Sequence, residues 1–243
     1  MNAANDIKSP DKKTPIIETR SLAKEYIMNE KTIKVLYNCD FTAYAGEKIS
    51  IIGKSGVGKS TLLQVIGTLD KPTEGEVFYE GRNVFLFNER RLAAFRNRTI
   101  GFVFQFHYLL PDFDALENVK MPGLISGLSS SQACKRAEEL LVQVGLQDRL
   151  YHRPGELSGG EQQRIAIARA LVMQPKVLLA DELTGNLDGG TAEGIHALLH
   201  ELNTIYNTTI IVVTHNRQLA AGMQRSYELS DGGLHSINSS EGV

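Results

Sequence analysis

Gly53-Lys54-Ser55-Gly56-Val57-Gly58-Lys59-Ser60 is the stretch that decides the fold. It has the spacing G-x-x-x-x-G-K-[ST]. It follows the apolar run Lys48 to Ile52 and opens a segment, Ser60 to Gly67, that reads as a helix. Strand, glycine-rich turn and helix in that order make a phosphate cradle. The glycines let backbone N–H groups close around the oxygens, and the helix N-terminus adds partial positive charge. Lys59 is expected to reach the β and γ phosphates of a nucleoside triphosphate. Ser60 is expected to bind Mg2+ through its hydroxyl, and Thr61 to help hold the α phosphate.

Working outward, short strands alternate with helices. Strands are predicted at Pro15 to Arg20, Val35 to Tyr44, Lys48 to Ile52, Glu76 to Tyr79, Ile100 to Gln105, Lys176 to Asp181 and Thr209 to Thr214. Helices are predicted at Glu89 to Phe95, Glu161 to Met173 and Thr191 to Leu202, and a small hairpin at Ser226 to His235. That alternation predicts a mostly parallel sheet covered on both faces. Ala115 to Leu150 breaks the pattern with helical segments, and reads as an inserted helical lobe.

The chain has 243 residues and a formal net charge of −2, with 42% hydrophobic and 22% charged residues. This fits one large domain or a domain with an inserted lobe. The near-neutral charge argues against a bulk electrostatic grip on nucleic acid. Arg90, Arg91, Arg96 and Arg98 form a small basic cluster that reads as a solvated helix face. Cys39 and Cys134 have no metal-ligand spacing and read as ordinary thiols in a reducing compartment. No apolar run reaches the roughly 18 residues of a membrane span. Residues 1–14 are polar and read as a disordered tail.

Two further segments carry chemistry. The strand Lys176 to Asp181 ends in a carboxylate, suited to the Mg2+ shell, and Glu182 follows as a candidate general base. In Leu157-Ser158-Gly159-Gly160-Glu161-Gln162-Gln163-Arg164, Ser158 and Glu161 have the spacing of a capping box. Gly159 and Gly160 would weaken that helix without structural gain. They are sensible where backbone amides must approach a phosphate.

Leu157 to Gln163, flanked by these two phosphate-site motifs in order, resembles the signature of the ATP-binding cassette (ABC) ATPases. The resemblance spans about Ile16 to Leu234. It implies an α/β P-loop NTPase core with an N-terminal antiparallel β portion, within a single domain over residues 15–243. The helical subdomain would be inserted at about 106–160. It also implies that Tyr26 stacks on adenine and that Gln105 senses Mg2+ and couples to a transmembrane partner. Asp188, in Gly185-Asn186-Leu187-Asp188, would cross a dimer interface, and His215 would contact the γ phosphate. The family packs two cassettes head to tail, so ATP would lie between Gly53 to Ser60 of one copy and Ser158 to Gly160 of the other. Two departures stand out: Leu183 replaces a common proline, and Asn216 a common acid.

Gln105-Phe106-His107-Tyr108-Leu109-Leu110-Pro111-Asp112-Phe113, with Ala115-Leu116-Glu117-Asn118-Val119, resembles the cassettes of bacterial lipoprotein-releasing systems. Macrolide-exporter and cell-division cassettes are related. The resemblance implies two separate transmembrane subunits docking near Gln105 to Phe113. The chain itself would be peripheral, on the cytoplasmic face of the bacterial inner membrane. The apolar side chains of this stretch are too many for a solvated loop. They are expected to be shared between the helical lobe's core and a groove for a partner helix.

Overall fold

The computed structural model describes residues 14–237; the tail expected at 1–14 lies, but for Thr14, outside them. Strands β1 (Ile17–Met28), β2 (Lys31–Ala43), β4 (Glu74–Tyr79) and β5 (Arg82–Asn83) form an antiparallel sheet in the order β2-β1-β4-β5. A second sheet is built from β3 (Lys48–Ile52), β6 (Ile100–Val103), β7 (Val177–Asp181), β8 (Thr209–Thr214), β9 (Arg225–Ser230) and β10 (Gly233–Ile237). Its order is β10-β9-β3-β8-β7-β6. All its pairings are parallel except β10 with β9.

The helices are α1 (Lys59–Ile66), α2 (Glu89–Thr99), α3 (Ala115–Ile125), α4 (Ser130–Gln143), α5 (Gly159–Leu171), α6 (Gly189–Tyr206) and α7 (Arg217–Ala221). The central strands are apolar on both faces, as buried parallel strands require. Their residues alternate between two cores. Leu178, Ala180, Ile210 and Val212 face the core shared with α3 to α6. Val177, Leu179, Ile211 and Val213 face the core shared with α1 and the antiparallel sheet. Full capping boxes at Asp114/Glu117, Ser129/Gln132 and Ser158/Glu161 start α3, α4 and α5. No helix among the described residues is long and apolar enough to cross a membrane.

The structure revises several boundaries. β1 runs past Arg20 to Met28 and turns into β2 through Asn29 and Glu30, both at positive φ. Lys24, Glu25, Lys31 and Lys34 hid this hairpin by filling it with charge; Lys34 and Glu25 pair across it at 3.3 Å. β6 stops at Val103, which leaves Gln105 in a loop. α5 begins at Gly159, two residues before the predicted start. Arg96 is not part of a solvated face: its Nη1 donates to the Thr68 carbonyl at 2.6 Å.

Candidate active site

Parallel strands gather their C-terminal ends at one edge of the sheet, where ligands of α/β proteins bind. Here the edge holds the loop after β3, Gln105 after β6, Asp181 and Glu182 at the end of β7, and His215 after β8. Together they line a cleft of about 530 Å3 with Ser55, Gly56, Gly58, Lys59, Ser60, Thr61 and Val35. Val35 comes from β2 and carried no signal in the sequence. It packs over Gly58: a Cβ at Gly58 would lie 2.8 Å from Val35 Cγ1, and φ there is +110. The glycine is therefore required by both space and backbone.

Lys59 is 7% exposed. Its Nζ donates to the carbonyls of Gly53 at 2.9 Å and Lys54 at 3.1 Å, and lies 3.8 Å from Glu182 Oε1. The other carboxylate oxygen, Oε2, is 2.8 Å from His215 Nδ1. Oε2 also lies 3.4 Å from the Thr214 hydroxyl and from the His215 N–H. Glu182 adopts φ +46, a left-handed backbone that turns its carboxylate back over the strand ends. Gly185 N–H closes the following turn onto the Glu182 carbonyl at 3.1 Å, and Leu183 is buried in the helical core. That anchor stands where a proline would otherwise stiffen the turn.

Burial pushes the Asp181 carboxyl above its ordinary range; a hydrogen bond from Ser60 and the Lys59 charge work against the shift. Ser60, Asp181 and Gln105 line the same cleft. Oxygen donors of this kind suit a hard divalent cation with retained waters, so the residues fit Mg2+. A cation would also relieve the cost of keeping Asp181 charged.

Other predicted residues lie apart from this cleft. Tyr26 is not among its lining. Its hydroxyl donates to Asp70 Oδ2 at 2.9 Å, and Lys24 Nζ, which bonds Asp70 Oδ1 at 2.8 Å, sits 4.8 Å from the ring centroid. Ser158 and Gly159 are exposed at the start of α5. The Glu161 N–H donates to Ser158 Oγ at 3.3 Å, and the Ser158 N–H to Glu161 Oε2 at 2.8 Å. Asp188 caps α6 by accepting from the Thr191 N–H at 3.0 Å. Gly160, unlike Gly159, has a packing cause. A Cβ at Gly160 would meet Thr191 Cγ2 at 2.6 Å, so this glycine lets α5 pass close to α6.

The stretch after Gln105 divides as its apolar content predicts. Leu109 packs on the helical core, while Phe106, Tyr108 and Leu110 are exposed. Tyr108 and Phe104 border a second cleft of about 520 Å3 with Phe102, Pro122, Ile125 and Arg169. Buried Asn118 holds the loop's far end, bonding the Leu110 N–H and the carbonyls of Leu110, Phe113 and Asp114.

A family profile described as ABC transporter matches residues 36–185. The lipoprotein-releasing system ATP-binding protein LolD of Syntrophus aciditrophicus (strain SB) is 55% identical over 217 residues, covering 89% of this chain and 97% of the relative. The LolD of Myxococcus xanthus (strain DK1622) is 54% identical over the same shares. Among solved structures, the cassette MJ0796 as a dimer in a post-hydrolysis state with ADP and Pi superposes with a TM-score of 0.83 and 40% identity. It covers 91% of this chain and 99% of its own. A second dimeric structure of MJ0796, a bacterial ABC transporter cassette, gives 0.84 and 41% over the same shares. The chain belongs to the ABC transporter family, among the ATP-hydrolysing cassettes that include the LolD proteins.

Proposed function

We propose that this chain is the ATPase subunit of a membrane complex that releases lipoproteins from the bacterial inner membrane towards the outer membrane. The observation that carries the ATPase part is the convergence of Lys59, Ser60, Gln105, Asp181, Glu182 and His215 on one cleft. The lipoprotein part rests on the LolD relatives. Two copies sandwich ATP between Gly53 to Ser60 of one and Ser158 to Gly160 of the other; the dimeric MJ0796 structures support that arrangement. Asp188 lies at this junction and Tyr26 takes the adenine. Partner subunits in the membrane dock on the cleft beside Tyr108, and the chain sits on the cytoplasmic face through them.

The chemistry follows from the positions. Lys59 is already desolvated, so its charge acts strongly on phosphate oxygens. Ser60 and Asp181, with Gln105, would hold Mg2+, which would neutralise phosphate charge when bound. Glu182, oriented by His215 and Thr214, accepts a proton from the attacking water. His215 is then free to turn to the γ phosphate as Glu182 engages that water.

Purification of the native complex from membranes tests the reading. The membrane subunits that co-purify should release a lipoprotein from proteoliposomes only with hydrolysable ATP. Partners that export a small molecule, or that regulate cell-wall enzymes without releasing lipoprotein, would overturn it.

A further inference from the structure

The segment leading out of the site, Gln105 to Tyr108, is tied to α5 through Arg169. Arg169 donates from Nη1 to the Tyr108 carbonyl at 2.7 Å and from Nη2 to the His107 carbonyl at 2.6 Å. Burial lowers the guanidinium below its ordinary range, and among the described residues no carboxylate pairs with it. A half-buried cation held by carbonyls alone is costly, so it needs a reason.

The loop supplies one. Tyr108 adopts φ +46, a strained backbone for an aromatic residue. Such strain persists only where the surroundings impose it, and the two-pronged donor does so on both adjacent carbonyls. The same helix carries Ser158 at its N-cap. Its 13 residues make a rod of about 20 Å with the signature turn at one end and the loop clamp near the other.

We propose that Arg169 is a positioning residue. It fixes the loop behind Gln105 to α5, so that the surface of Phe106, Tyr108 and Leu110 moves as one body with Ser158 to Gly160. The coupling half of this rests on the docking proposed above; the clamp itself does not.

Arg169→Lys keeps the charge but cannot span two carbonyls. In the isolated chain, amide hydrogen exchange across residues 106–110 should rise about tenfold or more while β7 and β8 keep their protection. ATP affinity should stay within about twofold. In the assembled complex, stimulation of hydrolysis by the membrane subunits should fall about tenfold with the basal rate unchanged. Unchanged loop exchange, or wild-type stimulation, would overturn the proposal. If Arg169→Lys loosens the whole chain, Tyr108→Asn added to it decides the matter, because asparagine tolerates the left-handed backbone. Restored loop protection supports the clamp; no restoration makes Arg169 a packing residue only. A wild-type complex without stimulation would sink the docking reading and the shared motion together, while loop exchange still judges the clamp.

Discussion

Around Lys59 the polar groups have partners inside the chain, and the ammonium is held by two carbonyls and Glu182. Around Ser158 the turn is exposed and braced by its own cap with Glu161. The first region is a pocket that can receive phosphate unaided. The second is a surface: its capping box makes the turn rigid, yet the pocket's lining includes none of it. A helix start stiffened in this way and left facing solvent is suited to an anion brought by another molecule. The difference teaches that the phosphate cleft and the capped turn are separate, self-supported features of one copy.

That contrast can be broken in order of expected effect. Glu182→Gln should retain ATP but lose about 100-fold or more in turnover, the scale of general-base catalysis. ATP binding and phosphate release measured on the same sample check it, and near-normal turnover would remove Glu182 from its role. In that trapped chain, Ser158→Arg should keep ATP affinity within about twofold while ATP-dependent dimers become about tenfold rarer. Dimers undiminished by light scattering would mean that the signature turn is not the closing surface.

Two smaller effects sharpen the picture. Leu110→Asp should spare nucleotide binding and reduce partner-stimulated hydrolysis about tenfold, as loss of an apolar anchor does. Assembly and stimulation at wild-type levels would move the docking site elsewhere. Gly160→Ala should cost about 1 kcal/mol through its clash with Thr191 and lower Tm by about 2–4 °C. Adding Thr191→Ser removes the offending methyl and should restore Tm. Hydrolysis that returns with it would show that Gly160 serves packing alone; hydrolysis that stays low would show a separate need at the phosphate.

The sequence exposes what is local. Gly53 to Ser60, the strand ending in Asp181 and the cap at Ser158 each have their meaning within a few neighbouring residues, and strands β3 and β8 follow from their apolar runs. Residues defined by a distant partner stay hidden. Val35 is one valine in a polar strand until β2 lies over Gly58. Asn118 and Arg169 are an ordinary asparagine and arginine until the loop of His107 to Phe113 is folded against them. The pairing of Lys24 and Tyr26 with Asp70 needs β1 beside the end of α1. The packing contact of Gly160 stays hidden for the same reason, since its neighbour Thr191 comes from another helix.

The register of β3 has a consequence for synthesis. The strand that launches the phosphate loop lies between β8 and β9, with Lys48 opposite Ile210 and Ile49 opposite Arg225. Neither neighbour exists until the ribosome has translated almost to the hairpin of β9 and β10. Pairing between such distant segments is slow to form. A nascent chain therefore displays the glycine-rich loop on a strand still unpaired along both edges, an interval in which exposed edges invite wrong pairing.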